Sequence, residues 1–408
     1  MDQSKHLATK QIGLQEGERA RHYNPAALAA ALCDARTRLK ALVLDLTDEQ
    51  WNVPLQSGIN PIAWEVGHVA WFAHWWTQRG PHRVDAAGQT VAAGAPLAAA
   101  PDALFDSSRI AHTQRWQVAL PSRAVVMDLL DAQLAQTLAT LAESKQDDAS
   151  LYLYRLSLFH EDMHSEALLW LRAVLGYGAP QGVQMPVIRQ APRAQTVAAQ
   201  AFVLGHAPDA PGFAFDNELQ GHPVQVDAFE INTQPVSCGQ FLQFVEARGY
   251  DNPAYWQGTA GQWRAAAARS HPLSWRKYDN AWQMRWFDAW IDLPQNAPLM
   301  HVNAYEAQAY CAWAREQLPT AIQWEAAARS NAITWGNSVW EWTASDLAPY
   351  PGFAPGSYKE YSQPWFGTHR ELRGGSFATD ARMHHVQYRN FFTPERSDVF
   401  AGFRTCSL

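Results

Sequence analysis

The sequence predicts an all-helical bundle followed by an α+β domain, and three observations carry that expectation. In the first part, apolar side chains recur at helical spacing in four long runs. Past residue 200 the pattern turns into short alternating segments separated by stretches of Trp, Gly, Asn and Pro. Between the two, residues 176–200 carry Gly, Pro and Ala with no period. A chain of 408 residues suits two or three domains with ample core. The expected division is a loosely ordered extension over 1–20, a bundle over 21–180, a linker over 181–200 and the α+β domain over 201–408.

The helices follow in order. Asn24-Pro25 reads as an N-cap with proline at the first helical position, and Leu28, Leu32, Leu39, Leu42 and Leu46 continue on one stripe. Asn60-Pro61 repeats the device before a second helix bearing Trp64, His68, Phe72 and Trp75 on a shared face. Residues 83–103, rich in Ala, Gly and Pro, read as a long loop suited to a lid or a substrate contact. Ser122 caps a third helix with Val126, Leu129, Leu130, Leu134, Leu138 and Leu141 inward. Residues 151–176 make the fourth. Beyond the linker, Phe202–Gly205 and Val224–Phe229 read as strands, and Cys238–Arg248 and Ala304–Glu316 as helices.

The fourth helix carries the chemistry. Leu153, Leu156, Ala167, Leu171 and Val174 form its inward stripe, and His160 and His164, one turn apart, fall on it. Two inward imidazoles at this spacing make a natural pair of metal ligands. The segment also matches His-Glu-x-x-His, a zinc-protease signature with Glu161 as general base. That alternative needs a third ligand downstream, and no Glu or His occurs from Ala167 through Gly205. Read instead as His-x-x-x-His-x-Glu, the pair finds its third ligand upstream in His68, and facing helices of a bundle are where such sites are built. Glu166 sits off the ligand face, which suits a cap or an outer hydrogen bond rather than coordination. Three neutral imidazoles suit Fe(II), Zn(II) or Cu(II) about equally.

Composition excludes other classes. A net charge of −7 without any block of Lys or Arg argues against nucleic acid and anionic membrane surfaces. Cys33, Cys238, Cys311 and Cys406 are scattered and read as reduced thiols. With no N-terminal apolar core and no spanning apolar run, the expectation is a soluble cytoplasmic protein. Aromatic residues make up 12%, and 19 are Trp, which favours pockets lined by flat rings.

With His68, His160 and His164 in view, the chain resembles the iron(II)-dependent sulfoxide synthases of ergothioneine biosynthesis and their relatives, the selenoneine synthases. The N-terminal part, with His160-x-x-x-His164-x-Glu166, is similar to their DinB-like four-helix bundle. The C-terminal part resembles the formylglycine-generating-enzyme domain of C-type-lectin-like fold. Its blocks run in order: Phe215–Glu218, Pro235–Ser237, Leu318–Thr320, Val339–Thr343, Leu372–Ser376, Tyr388–Asn390 and Ala401–Arg404. The copper-binding Cys pair of the formylglycine-generating enzymes is missing, so the domain is expected to shape a pocket rather than run its own chemistry.

The resemblance implies one Fe(II) on His68, His160 and His164, with O2, hercynine and a chalcogen donor as small-molecule substrates; the oligomeric state stays open. Hercynine carries a trimethylammonium group, which aromatic faces hold well; Phe391, Phe392 and Trp365 are the candidates. Asn390 and Arg109 are candidates for its carboxylate, and Arg109 also for anionic groups of the donor. Tyr358 and Tyr361 fall where the family has its active-site tyrosines, with Tyr358 preferred as the source of a proton or hydrogen atom. The chain departs from the ergothioneine enzymes at Met163, where they tend to have Gln, and after Asn390, where they carry an acidic residue. Together the two departures make the pocket less charged and softer. They favour the selenoneine branch, whose donor is a selenium-bearing sugar, over a cysteine or γ-glutamylcysteine donor. A zinc-dependent DinB-like thiol transferase and a non-catalytic lectin-like binding module are the alternatives from other classes.

Overall fold

The structure, a computed structural model, describes residues 15–86 and 88–407. It divides into two compact units. One comprises Arg19–Arg172 with Pro211–Phe213; the other comprises Ala173–Ala210 and the described chain from Ala214 onward, with residues 15–18. The extension expected over 1–20 lies outside the described residues as far as 14, and residues 15–20 are helical rather than loose.

The helical unit holds four long helices, α1 (Pro25–Leu44), α2 (Ile62–Gln78), α3 (Arg123–Ala142) and α4 (Asp148–Leu175). Asn24 caps α1 through its side-chain oxygen, which accepts the Ala27 N–H at 3.0 Å, with Pro25 at the first helical position. Ser122 caps α3. α4 starts at Asp148, earlier than the apolar stripe alone suggests, because the Asp147 carboxylate accepts the Ser150 N–H at 2.9 Å. α2 does not follow the anticipated device. Its cap is Pro61, without a side-chain hydrogen bond, and the Asn60 amide turns instead to Glu65 at 2.6 Å.

Every residue of α2 from Ile62 to Trp76 is buried, so this helix is the axis of the unit. Gly67 permits one of its contacts: a Cβ there would lie 2.3 Å from the Phe105 ring. On α3 the buried positions include Gln133 and Thr137, whereas Leu134 and Leu138 are only half-buried. The reason is a polar seam. Arg36 of α1, fully buried, donates to the Leu130 carbonyl and to Gln133 at 3.0 Å, and it grips Glu161 of α4 with two hydrogen bonds at 2.7 and 3.1 Å. The long loop expected over 83–103 is partly ordered. It contains an antiparallel hairpin, β1 (His82–Val84) with β2 (Thr90–Ala92), and ends in a helical turn at Asp102–Phe105.

In the second unit the expected linker is not one. Its residues Ala194–Val197 form strand β3, which pairs with β6 (Phe229–Asn232), while β4 (Gln200–Leu204) pairs with β5 (His222–Val226). The single strand expected over Val224–Phe229 is thus two, broken at Asp227-Ala228. The anticipated helices appear as α5 (Cys238–Glu246) and α7 (Ala304–Ala314). Two more were not anticipated, α6 (Thr259–Ala267) and α8 (Ala321–Arg329). α8 opens on a capping box between Thr320 and Gln323, a signal sitting in plain view beside Pro319. Strands β7 (Trp275–Tyr278), β8 (Ala281–Trp286) and β9 (Ala289–Asp292) form an antiparallel meander.

The centre of this unit is a four-stranded sheet in the order β12 (Asn390–Phe392), β11 (Arg370–Arg373), β10 (Trp340–Asp346), β13 (Ala401–Phe403). Beneath it lies a lattice of buried charge. Arg404 pairs with Glu341 at 2.5 Å, and the Trp324 indole donates to Glu341 at 2.7 Å. Arg373 bridges Glu371 at 2.6 Å and Glu325 at 3.0 Å, and Arg389 holds Glu371 at 2.8 Å. Glu341, Arg373, Arg389 and Arg404 come from the very blocks that carry the C-terminal resemblance, so those blocks help to build the interior. Buried pairs of this kind add little net stability but are costly to break singly. Gly375, at φ +91°, sits where a Cβ would meet the His384 ring at 2.5 Å. No helix among the described residues is long and apolar enough to cross a membrane.

Candidate metal centre

The three histidines picked out by spacing converge. Ligand nitrogens of His68, His160 and His164 all lie within 4.8 Å of one another. His160 and His164 approach through their Nε2 atoms at 3.1 Å. Two nitrogens bound to one ion at about 2.1 Å and roughly at right angles sit about 3 Å apart, so this spacing fits adjacent positions of an octahedral site.

Each ring is held by its surroundings. His68 lies between two indoles, Trp64 at 4.7 Å and 9° and Trp71 at 5.6 Å and 21°. Both indoles are pinned by the turn at 102–105, Trp64 to the Leu104 carbonyl at 2.8 Å and Trp71 to Asp102 at 2.9 Å. The Phe105 carbonyl lies 2.7 Å from His68 Nδ1. A carbonyl can only accept, so Nδ1 carries the proton and the Nε2 lone pair stays free to coordinate. His160 stacks on Phe72 at 3.5 Å and 6°. His164 Nδ1 meets the Glu65 carboxylate at 2.6 Å.

Burial sets the protonation. It pushes His68 down to about 3, helped by the proximity of His164. His160 is held well below the ordinary histidine range by burial, and by His164 and His68 beside it. Both are therefore neutral at pH 7, as ligands must be. Burial works to raise the pKa of Glu65, but His164 and the Asn60 amide outweigh it and keep the carboxylate ionised. His68 and His160 are closed off at 2% and 4% exposure, whereas the His164 side chain is 18% exposed, so the triad opens at that side. Met163, next to it, is half-buried. Glu166 is buried. Glu161 is engaged with Arg36, in the polar seam described above.

Arg109 makes a local ion pair with Asp106 at 2.9 Å and is about half exposed. In the other unit, four of the aromatic candidates fall in one chain of ring contacts. Tyr358 lies 6.0 Å from Tyr361, Tyr361 5.7 Å from Phe391, Phe391 5.8 Å from His369, and His369 5.0 Å from Trp365. The loop bearing the tyrosines is anchored by Ser362, which donates to Asp216 at 2.5 Å. Phe392 is not on the same surface as Phe391. Successive residues of β12 point to opposite faces, and Phe392 lies under the Arg396 guanidinium at 4.5 Å. The Asn390 side-chain oxygen accepts its neighbour's N–H, at Phe391, at 2.8 Å.

Comparison with known proteins agrees with this architecture. The DinB superfamily matches residues 31–171, and the sulfatase-modifying factor enzyme 1-like domain matches 184–338 and 333–407. The hercynine oxygenase of Mycobacterium tuberculosis is 30% identical, over 93% of this chain and 98% of its own length. The chain belongs to the hercynine oxygenase family. A second hercynine oxygenase, from Mycolicibacterium thermoresistibile, is also 30% identical, over 93% of this chain and 94% of its own. The formylglycine-generating enzyme of Thermomonospora curvata is 28% identical over 49% of this chain and 88% of its own. As a member of the hercynine oxygenase family the chain is an oxygen-using oxidoreductase, and its fold is the DinB-like bundle with a formylglycine-generating-enzyme-like domain.

Sequence reasoning missed Glu65, the Asn60 contact to it and the Phe105 carbonyl around the triad, and His369 among the C-terminal rings. Glu65, one turn before His68, left the only legible signal, an acid inside an otherwise apolar helix.

Proposed function

We propose that the protein joins selenium or sulfur to the imidazole C2 of hercynine, using Fe(II) and O2, with a selenium-bearing sugar as its preferred donor. The observation that carries this reading is the convergence of His68, His160 and His164 in the core of a DinB-like bundle, in a chain that matches a hercynine oxygenase over 98% of its length. The residues fit an Fe(II) ion: three imidazoles face one another, two of them with Nδ1 committed elsewhere, leaving the rest of the coordination sphere to substrates. When bound, the metal supplies the means to activate O2 next to the donor chalcogen.

The overall change balances as R–SeH plus hercynine plus O2 giving the hercynyl selenoxide plus water; sulfur would react in the same way. The C2–H and Se–H bonds break, the C2–Se bond forms, selenium is oxidised and takes one oxygen atom, and the other leaves as water. Tyr358 serves as the source of a proton or hydrogen atom, steering oxidation toward C2 coupling. Phe391 and Trp365 offer aromatic faces to the trimethylammonium group, with Asn390 and Arg109 as further contacts to the substrates, whereas Phe392, on the opposite face of β12, packs against Arg396. The donor assignment rests on charge and polarity. Phe391 and Phe392 follow Asn390 where the ergothioneine enzymes carry an acidic residue, and Met163 precedes His164 where they tend to have Gln, which suits a neutral sugar better than an amino acid.

The test is a competition. The Fe(II)-loaded protein, O2 and hercynine are offered a selenosugar, a thiosugar, cysteine and γ-glutamylcysteine together, and the products are read by mass. The selenosugar adduct should dominate. Preferred turnover of cysteine or γ-glutamylcysteine would assign the protein to ergothioneine-type sulfoxide synthesis instead.

A further inference from the structure

The three imidazoles are not equivalent in their outer contacts. His68 rests on a neutral backbone carbonyl, whereas His164 rests on a carboxylate that is itself built into a chain. Glu65 is 2% exposed. Its Oε1 meets His164 Nδ1 at 2.6 Å, and its Oε2 accepts the Asn60 amide at 2.6 Å. The Asn60 side-chain oxygen in turn accepts from Arg115 at 2.6 Å, which fixes the orientation of the amide and so of the donor turned to Glu65. The same Arg115 guanidinium lies 3.7 Å over the Trp64 ring, the indole stacked on His68. The turn at His112–Trp116 that presents Arg115 is itself tied down: His112 bonds the Ile59 carbonyl at 2.7 Å and Trp116 the Val53 carbonyl at 2.8 Å.

We infer that Glu65 is a positioning residue of the metal site: held by Asn60 and Arg115, its carboxylate locks His164 in the Nδ1–H form and keeps Nε2 turned toward His160. A carboxylate acceptor also makes the imidazole a stronger donor than a carbonyl does. His164 is the triad member with the most exposed side chain and follows Met163 in a half-buried stretch, so packing alone constrains it least. The hydrogen bond supplies the constraint that Trp64, Trp71 and Phe72 give the other two rings. Arg115, through Asn60 on one side and Trp64 on the other, ties the postures of His164 and His68 together.

This rests on the three-histidine metal site proposed above, and the experiment separates the two. The full-length protein, freed of metal, is titrated with Co(II) and read by its visible spectrum, and Fe(II) affinity is measured by competition with a chelator. Wild type should take up one equivalent, and His160→Ala none; failure of either overturns the metal site itself. Glu65→Gln, nearly isosteric, should weaken metal binding by about 10- to 100-fold and alter the Co(II) spectrum. Glu65→Asp, which keeps the charge, should recover part of the affinity. Arg115→Met, which leaves an apolar stem on Trp64 but no donor for Asn60, should give a smaller loss in the same direction. If Glu65→Gln binds metal as wild type does, with an unchanged spectrum, Glu65 has no positioning role. If Glu65→Gln loses its fold, the Arg115→Met titration decides: unchanged affinity and spectrum overturn the inference.

Discussion

Replacing Glu161 by Gln separates the two motifs that the α4 segment matches. In a His-Glu-x-x-His protease this carboxylate would be the general base, and its loss would abolish activity without touching the fold. Here it is 1% exposed and makes two hydrogen bonds to Arg36, whose guanidinium is equally buried and also holds Leu130 and Gln133. Glu161→Gln leaves the Arg36 charge in the interior without its counter-charge, and breaking such a pair from one side costs about 3–5 kcal/mol. The amide retains one acceptor, so the lower end, about 3 kcal/mol, is the expectation. For a unit of this size that is a fall of roughly 6–12 °C in melting temperature. The double variant Arg36→Met/Glu161→Leu should recover much of the loss, because it removes both charges together. Thermal melts by circular dichroism, paired with metal titration of the folded protein, measure both effects. Glu161→Gln should melt early yet still bind one ion below its transition. A variant that melts like wild type but is inactive would refute this reasoning and return Glu161 to the chemistry.

Two further outcomes follow from the geometry. Tyr358→Phe should retain metal and hercynine binding but slow C2 coupling, or divert turnover to oxidation of the donor alone; an unchanged rate and product ratio would leave Tyr361 as the candidate. Acid should destabilise the C-terminal unit. Burial pushes His301 and His384 down to about 4, while the unfolded chain takes up these protons near 6.5. The unfolded state therefore gains protons first as pH falls. Stability is full above about pH 6.5, declines toward pH 4 and levels off below, by up to about 3 kcal/mol per histidine. The urea midpoint between pH 7 and 4.5 should show this slope, and His384→Gln should make it shallower; an unaltered slope would remove His384 from the account.

How far the sequence could be read depended on how local the signal was. The bundle was legible because helical periodicity and the Asn24-Pro25 and Ser122 caps act within one turn. His160 and His164 were legible for the same reason, and His68 because it shares a face with Trp64 and Phe72. The surroundings of the triad were not. Glu65 finds its role only when α2 packs on α4, and Asn60 imitates a helix cap while serving Glu65. Arg36 and Gln133, distant in sequence, decide which side of α3 is buried, and no apolar count reveals that. In the C-terminal unit, three- to five-residue strands such as β3 and β12 carry too little pattern to be separated from loop. The motif blocks there were correct markers of the fold, but Glu341, Arg373, Arg389 and Arg404 hold its interior together rather than its substrate.

The measurement closest to the central claim follows the hercynine C2 hydrogen. Hercynine deuterated at C2 is mixed with the Fe(II)-loaded protein and the selenosugar donor, with and without O2, and both the product and recovered substrate are weighed by mass spectrometry. The account predicts loss of the C2 deuterium in a selenium-bearing product that forms only when Fe(II), O2 and donor are all present, and no product from His160→Ala. A product that forms under strict exclusion of O2, or on the zinc-loaded protein alone, would contradict it and mark the bundle as a metal-assisted transferase.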